Sequence, residues 1–504
     1  MKSSAREVEV KLGVWPGFRL PDLGGVVDGA VAGKSDERRL EATYYDTPDY
    51  RLGRSGVSMR HRQGDGTGWT VKLPDDAART EGAMARTEMT FHGDAGDVPS
   101  EVATLLTAWV RGSSLVPVAR LDTLRRTTEV VDGEGKVLAE VVDDEVSVLH
   151  GTTVAARFRE VEAEETEHAP EGLLDAIVAR LRAAGAGPPD TTSKVKRALG
   201  PVAEGPPDLV EEPLGADPTA ADVIRLAITR SVLRLLAHDP GVRLGDDAED
   251  VHQARVATRR LRSDLRTFRD LLDHEWAEGL RGRLKLVAGA LGAVRDADVL
   301  LERLHRQLSA LPADDQAPGE AVLDRLRAER DDARSRLAAV MDGPDYATLL
   351  EDLVEGARRP GLAPEASAPA AEALPPLVKR PWRRLAQAAA AVEPDSPDEV
   401  LHEVRIRAKR CRYAAEVAGL AMGRPARELA AAVAGLQEVL GDHQDAVVTQ
   451  AWLRRQVQGV APAEALVAGE LVAASRADAA TTRVAWPDAW AAARKGKLRR
   501  WMNA

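Results

Sequence analysis

The chain begins with charged and apolar residues in strict alternation. In Glu7-Val8-Glu9-Val10-Lys11 every second side chain is ionic. Successive side chains of a β-strand leave on opposite faces, so Glu7, Glu9 and Lys11 share one face of a predicted strand. Two carboxylates ~7 Å apart with an ammonium beside them cannot build an apolar core. They suit a place where divalent cations meet a phosphorylated ligand. Short alternating segments such as Ser58-Met-Arg-His-Arg62 and Trp69-Thr-Val-Lys-Leu73, separated by Gly, Asp and Pro turns, continue to about Leu199. They predict an antiparallel β domain over residues 1–200.

Ionic residues recur wherever these predicted strands alternate. Arg60 and Arg62 share a face, Lys72 follows in the next strand, and Arg86 and Glu88 share a face in the one after. Arg125 lies near the start of a further strand, Glu140 and Asp144 share a face of the next, and Glu160, Glu162 and Glu164 alternate once more. The opposite faces carry Val8, Val10, Val71, Val141, Val161 and Ala163, which can form a core. Two arrangements fit this pattern. In a one-sided sheet the charges face solvent; in a closed barrel they line a channel, with carboxylates holding divalent cations and Arg and Lys holding phosphates.

From about Asp217 the pattern takes on a helical period and is rich in Ala, Leu and Arg. Residues 201–216, with Gly-Pro-Pro and several acids, read as a linker. A second Pro/Ala-rich stretch, Arg359 to Pro376, divides residues 217–495 into two comparable repeats, about 217–358 and 377–495. His252-x-x-Arg255-x-x-x-Arg259-Arg260-x-Arg262 returns 150 positions later as His402-x-x-Arg405-x-x-x-Lys409-Arg410-x-Arg412, and Leu291-Gly292 through Asp296 returns as Leu440-Gly441 through Asp445. Such duplication predicts two helical bundles related by a pseudo-two-fold axis. His252, Arg255, Arg259, Arg262 and Arg266 follow three-four spacing and form a cationic stripe, with Ala254, Leu261, Leu265 and Phe268 apolar elsewhere on the helix. His402, Arg405, Lys409 and Arg412 repeat the stripe. Like charges one turn apart cost a helix a few tenths of a kcal/mol per pair, so the row favours a facing anion, and arginine forks suit phosphate oxygens. Acids such as Asp296, Asp298 and Asp445 offer the competing reading of ordinary structural pairing.

The 504 residues exceed what a single core supports. With 44% hydrophobic and 30% charged residues and no apolar run of membrane-spanning length, the chain reads as soluble, with no membrane partner. The N-terminus has no apolar leader, and Cys411 is the lone cysteine, which together point to a reducing cytoplasm. A net charge of -11 argues against a globally basic nucleic-acid binder. Any anion site is therefore a local concentration of basic residues. No Gly-x-Ser-x-Gly, Walker A or dinucleotide fingerprint competes with this reading.

Residues 1–200 resemble the CYTH domain of the triphosphate tunnel metalloenzymes. The resemblance rests on Glu7-x-Glu9-x-Lys11, then Tyr45-Asp-Thr-Pro48, Arg60-x-Arg62, Lys72 and Arg86-x-Glu88 in order. Residues from about 217 to 495 resemble the CHAD domain, a helical domain associated with polyphosphate binding, through the duplicated His-x-x-Arg motifs. The resemblance implies an α+β protein of two domains: an antiparallel β tunnel with helices, then an all-α duplicated bundle. It implies Mg²⁺ or Mn²⁺ held by Glu7, Glu9, Glu160 and Glu162, with Asp144 and Lys11 also catalytic. Lys11, Arg60, Arg62, Lys72, Arg86, Arg125 and Lys194 would bind triphosphate, with Arg126 an alternative to Arg125 and Glu164 an open case. The expected activity is hydrolysis of inorganic tripolyphosphate, with longer polyphosphate bound on the helical domain, in the cytoplasm at polyphosphate granules. A nonenzymatic polyphosphate-binding or granule-targeting protein, a nucleotide or thiamine triphosphatase, and a CYTH-class adenylate cyclase are the alternatives, and the oligomeric state stays open.

Overall fold

The computed structural model describes residues 3–64, 66, 68–75, 84–245 and 247–503, and it divides into two compact units at Asp208/Leu209. In the first unit, β1 (Ser3–Gly13), β2 (Val31–Asp46), β3 (Ser58–Gln63), β4 (Gly68–Asp75), β5 (Met84–Phe91), β6 (Val116–Val131), β7 (Val137–His150) and β8 (Thr153–Glu165) form a barrel. Neighbours run antiparallel in the order β1-β5-β4-β3-β2-β6-β7-β8, and the barrel closes where β8 meets β1.

Closure decides between the two arrangements the alternation allowed. Val10, Leu12, Val141, Val161 and Ala163 point outward and are buried against Leu173, Leu174, Ile177 and Leu181 of a covering helix. The ionic positions consequently face in. Helices are short in this unit: α1 (Arg51–Arg54), α2 (Ser100–Leu105), α3 (Thr107–Val110), the covering helix α4 (Leu173–Ala183) and α5 (Lys194–Leu199). Asp46, from the Tyr-Asp-Thr-Pro motif, is buried and accepts the backbone N–H groups of Thr47, Leu52 and Gly53, so this motif fixes the turn into α1.

The second unit is helical: α6 (Ala220–Leu244), α7 (Ala248–Thr267), α8 (His274–Leu308), α9 (Ala313–Asp342), α10 (Pro344–Arg358), α11 (Ala370–Ala390), α12 (Asp398–Met422), α13 (Arg424–Gln456) and α14 (Pro462–Ala493). Thr219 and Asp222 close a reciprocal capping box that starts α6. Helices α11 to α14 repeat α6 to α9, their first residues displaced by 150 positions or, for the last, 149. The second repeat starts at Ala370, inside the Pro-rich stretch, and α11 contains Pro375, Pro376 and Pro381. Proline removes a donor and crowds the preceding turn. Here the buried face of Leu374, Val378, Trp382 and Leu385 outweighs that local cost. Ala254, Leu261, Leu265 and Phe268 on the α7 side, and Val404, Ala408, Cys411 and Ala415 on α12, are buried.

Candidate functional site

Strand register brings the ionic positions of the barrel together in pairs of opposite sign. Lys11 stands opposite Glu162, Glu7 opposite Arg86, Lys72 opposite Glu88, and Arg125 opposite Asp144. Glu7, Glu9, Lys11, Arg60, Arg62, Lys72, Arg86 and Arg125 line one small cavity with Glu88, Glu140, Glu162, Glu164 and Lys194. Lys194 comes from the first turn of α5, where Ser193 caps the helix by accepting the N–H of Lys196.

The pairs form a continuous ionic network. Lys11 Nζ lies 2.8 Å from Glu162 and 3.2 Å from Glu9. Lys72 lies 2.8 Å from Glu88 and donates to Glu7. Lys194 reaches Glu160 and Glu162 at 2.8 Å and Asp144 at 3.0 Å. Arg125 grips both oxygens of Asp144, at 2.9 and 2.7 Å. Arg126, one residue on, points the other way and pairs outside with Glu37 and Glu145; Arg125 is the inward member. Asp144 and Glu160 are fully buried, bonded to Lys194 of α5, and are not part of the cavity lining. They hold Lys194 and Arg125 in place instead of facing the opening. Tyr44, opposite Arg60 in the β2–β3 register and 3.2 Å from its guanidinium, also lines the cavity. The alternation of β2 contains it, but its phenol carries no charge to draw attention in the sequence.

Burial and neighbouring charge set the protonation of these groups. Burial would raise Glu88, yet Lys72 and Arg60 outweigh it and hold the carboxyl at about 2. Burial likewise opposes ionisation of Glu9, which Lys11 brings down below the ordinary carboxylate range. Glu164 goes the other way: burial, with Glu7, Glu9 and Glu140 adding like charge, pushes it up to about 8. Lys194 is raised well above its ordinary value because Glu160, Glu162 and Asp144 outweigh the cost of burial.

Among the described residues no three His, Cys, Asp or Glu side chains stand grouped as cation ligands. Lysines hold the carboxylates in this conformation. The donor chemistry nevertheless fits Mg²⁺ or Mn²⁺: the acids of the cavity are hard carboxylate oxygens. Crowding strong enough to keep a proton on Glu164 near neutral pH is also what a divalent cation relieves.

In the helical unit α7 and α12 bring their cationic stripes together. Lys409 is pulled down to about 7 by burial and by Arg259, Arg255, Arg405 and Arg412 around it. Arg255 bonds Asp296 at 2.7 Å and lies across Gly292, and Arg405 lies across Gly441 in the same way; a Cβ on either glycine would be 3.8 Å from the arginine Nε. The second repeated motif thus supplies the surface over which the arginine of the first extends. Among the described residues, the buried Nδ1 atoms of His252 and His402 and the Nε atoms of Arg259, Arg262, Arg405 and Arg412 have no hydrogen-bond partner. Tyr413, which the sequence reading did not single out, sits among Arg259, Arg260 and Arg412, whose guanidiniums lie 5.6, 5.5 and 4.8 Å from its ring centre. Arg266 stands apart from this group and lines a different cavity.

Comparison with known proteins agrees with this architecture. A CYTH-domain model matches residues 5–198 and a CHAD-domain model residues 226–454. The chain is 32% identical over 477 residues to the uncharacterized protein MT2285 of Mycobacterium tuberculosis (strain CDC 1551 / Oshkosh), covering 89% of this chain and 88% of that one. Among solved structures, PptA from Streptomyces chartreusis is 26% identical, with a TM-score of 0.46, covering 54% of this chain and 99% of that one. The CHAD domain from the plant Ricinus communis is 25% identical, with a TM-score of 0.44, covering 58% and 95%. The chain belongs to the CYTH–CHAD proteins, its first domain a member of the metal-dependent triphosphate tunnel enzymes, a family of triphosphatases and cyclase-like enzymes. No helix among the described residues is long and apolar enough to cross a membrane.

Proposed function

We propose that the barrel hydrolyses inorganic tripolyphosphate with Mg²⁺ or Mn²⁺, and that the CHAD domain binds longer polyphosphate. One observation carries this reading: the cavity is only about 100 Å³, and its lining is ionic on nearly every side, with Tyr44 its one aromatic ring among the described residues. A linear phosphate chain suits that space; a purine or thiazolium ring gains little there.

Lys11, Arg60, Arg62, Lys72, Arg86, Arg125 and Lys194 would bind and orient the phosphates, leaving the terminal phosphorus facing the carboxylates. Among the described residues the buried Nε of Arg60 has no hydrogen-bond partner, which supports a role toward a ligand. Asp144 positions Arg125 and Lys194. Glu7, Glu9 and Glu162 would hold the cation, and Glu160 joins them only on release from Lys194. Bound Mg²⁺ or Mn²⁺ would neutralise phosphate oxygens and lower the charge barrier to attack. Water adds to the terminal phosphorus as the bridging P–O bond breaks, giving phosphate and pyrophosphate, and the proton the water loses passes to a product phosphate oxygen.

The paired stripes of α7 and α12 support polyphosphate as partner of the second domain: His252, Arg255, Arg259 and Arg262 on one helix, His402, Arg405, Lys409 and Arg412 on the other. Arg266, expected in the first stripe, falls outside it and lines a different cavity. On this reading the protein would act in the cytoplasm, at polyphosphate granules. A parallel assay of tripolyphosphate, ATP and thiamine triphosphate, with Mg²⁺ and with Mn²⁺, tests the reading. Preference for tripolyphosphate is expected. Preference for either organic substrate, or retention on immobilised polyphosphate with no turnover of any substrate, overturns it.

A further inference from the structure

The repeats of the helical domain build two cavities from equivalent positions. Arg230 and Arg234 of α6, Arg260 of α7 and Glu416 of α12 line the first. At the positions 150 away, Arg380 and Arg384 of α11, Arg410 of α12 and Arg266 of α7 line the second, a cavity of about 490 Å³. The duplication therefore made the same hollow twice, once on each side of the α7/α12 pair. The two hollows differ in how their equivalent arginines are paired.

In the first, two of the equivalent arginines are paired with acids, Arg230 with Glu211 and Arg260 with Glu416. Arg260 also lies 3.5 Å from the fully buried Asp264. In the second, the counterpart of Glu416 is Arg266 and the counterpart of Asp264 is Ala414. An acid pair has been replaced by a like charge and a methyl group. Arg410, the counterpart of Arg260, meets guanidiniums where its twin meets carboxylates.

The acids that remain are committed elsewhere. Asp270 lies 3.0 Å from Arg269 and 3.8 Å from Arg380, Glu278 pairs with Arg281, and Glu403 holds Arg407 at 2.5 Å. Among the described residues Arg266, Arg384 and Arg410 have no carboxylate within ion-pair distance, and the buried Nε of Arg281 has no hydrogen-bond partner. Their mutual repulsion is felt: burial, then Arg407 and Arg384, lower Arg410, and burial, then Arg410 and Arg281, lower Arg266. Arg410 is half-buried with the exposed Arg266 and Arg384 beside it, and the planar forks of the three match pairs of phosphate oxygens.

We propose that the hollow between α7, α11 and α12 is a second anion site, separate from the α7/α12 stripes, for a compact small molecule carrying adjacent phosphoryl groups. Pro376, Leu377 and Pro381 give it an apolar wall, so the ligand is either an inorganic diphosphate or the diphosphate of an organic molecule laid against that wall. The first hollow, where Arg260 is paired with Glu416, serves as the comparison.

Hydrogen exchange on the full chain, with pyrophosphate and with ADP in separate arms, tests the site and locates it. The expected result is about 5-fold slower exchange or more in segments 374–386 and 405–412 with at least one ligand. That protection is lost in the Arg384→Gln/Arg410→Gln variant and kept in Arg230→Gln/Arg234→Gln. Pyrophosphate protection alone identifies an inorganic ligand; stronger protection by ADP identifies an organic one. Absence of local protection with both ligands, or protection that survives in Arg384→Gln/Arg410→Gln, overturns the proposal. Arg410→Gln alone gives the same reading should the double variant not fold. Either failure is distinguishable from failure of the tunnel reading, because the measurement is local to the helical domain.

Discussion

Lys11 and Glu162 are direct partners across the β1–β8 seam, Nζ to carboxylate 2.8 Å. This contact joins the first strand of the domain to its last, so it exists only because the barrel closes. It also ties the Glu-x-Glu-x-Lys strand to the acids of β8 and, through Glu162, to Arg125 at 3.5 Å and Lys194 at 2.8 Å. Without closure the same residues would be scattered charges on a sheet.

Arg125 and Arg126 should respond differently to removal. Arg125→Ala takes one of two cationic partners from the fully buried Asp144, leaving Lys194 at 3.0 Å. We expect a loss of about 2 kcal/mol, less than the ~3–5 kcal/mol of a fully orphaned buried charge, and roughly 10²-fold lower kcat/KM. Arg126→Ala breaks exposed pairs and should change stability by no more than ~0.5 kcal/mol, with activity retained. Denaturant unfolding and steady-state kinetics on both variants check this.

Metal-free protein should lose stability from Glu164 as pH rises. The carboxyl sits at about 8 in the folded chain against an ordinary 4.5, so the folded state holds its proton more tightly. The contribution is complete below about 4.5 and disappears as pH climbs through about 8. Glu164→Gln should flatten that decline. Melting temperatures across the window, in chelator, report it, and an unchanged slope in the variant would refute the assignment.

Polyphosphate binding should weaken with rising pH through Lys409. Free protein holds this amine at about 7, below its ordinary 10.5, so above pH 7 it is largely neutral and a bound polyanion must draw a proton onto it. Affinity at fixed ionic strength should therefore fall between pH 7 and pH 9. Lys409→Arg should remove most of that slope while keeping the charge. Titrations of the two proteins at both pH values are the check.

Much of this was legible in the chain. Period-two alternation marked the ionic faces, and the 150-position repeat marked the paired stripes. What escaped depends on tertiary geometry. Arg125 and Arg126 are chemically identical neighbours, separated only by the register of β6 against β7. Asp144 and Glu160 look like open ligands until α5 places Lys194 over them. Pro375 and Pro376 suggest an interruption by local propensity, and only the buried face of α11 overrides it. The repeat made equivalent hollows foreseeable, but not that one would keep its acids and the other lose them.

The central claim is that the barrel interior performs cation-assisted cleavage of a phosphoanhydride, and its most direct test is phosphate release from tripolyphosphate, with Mg²⁺ or Mn²⁺, by wild type and Glu9→Gln. Glu9 is 3% exposed and held by Lys11 inside the tunnel. The account predicts turnover in wild type and at least ~10²-fold lower kcat in a variant that melts as a folded protein. Equal turnover in the two proteins would contradict it.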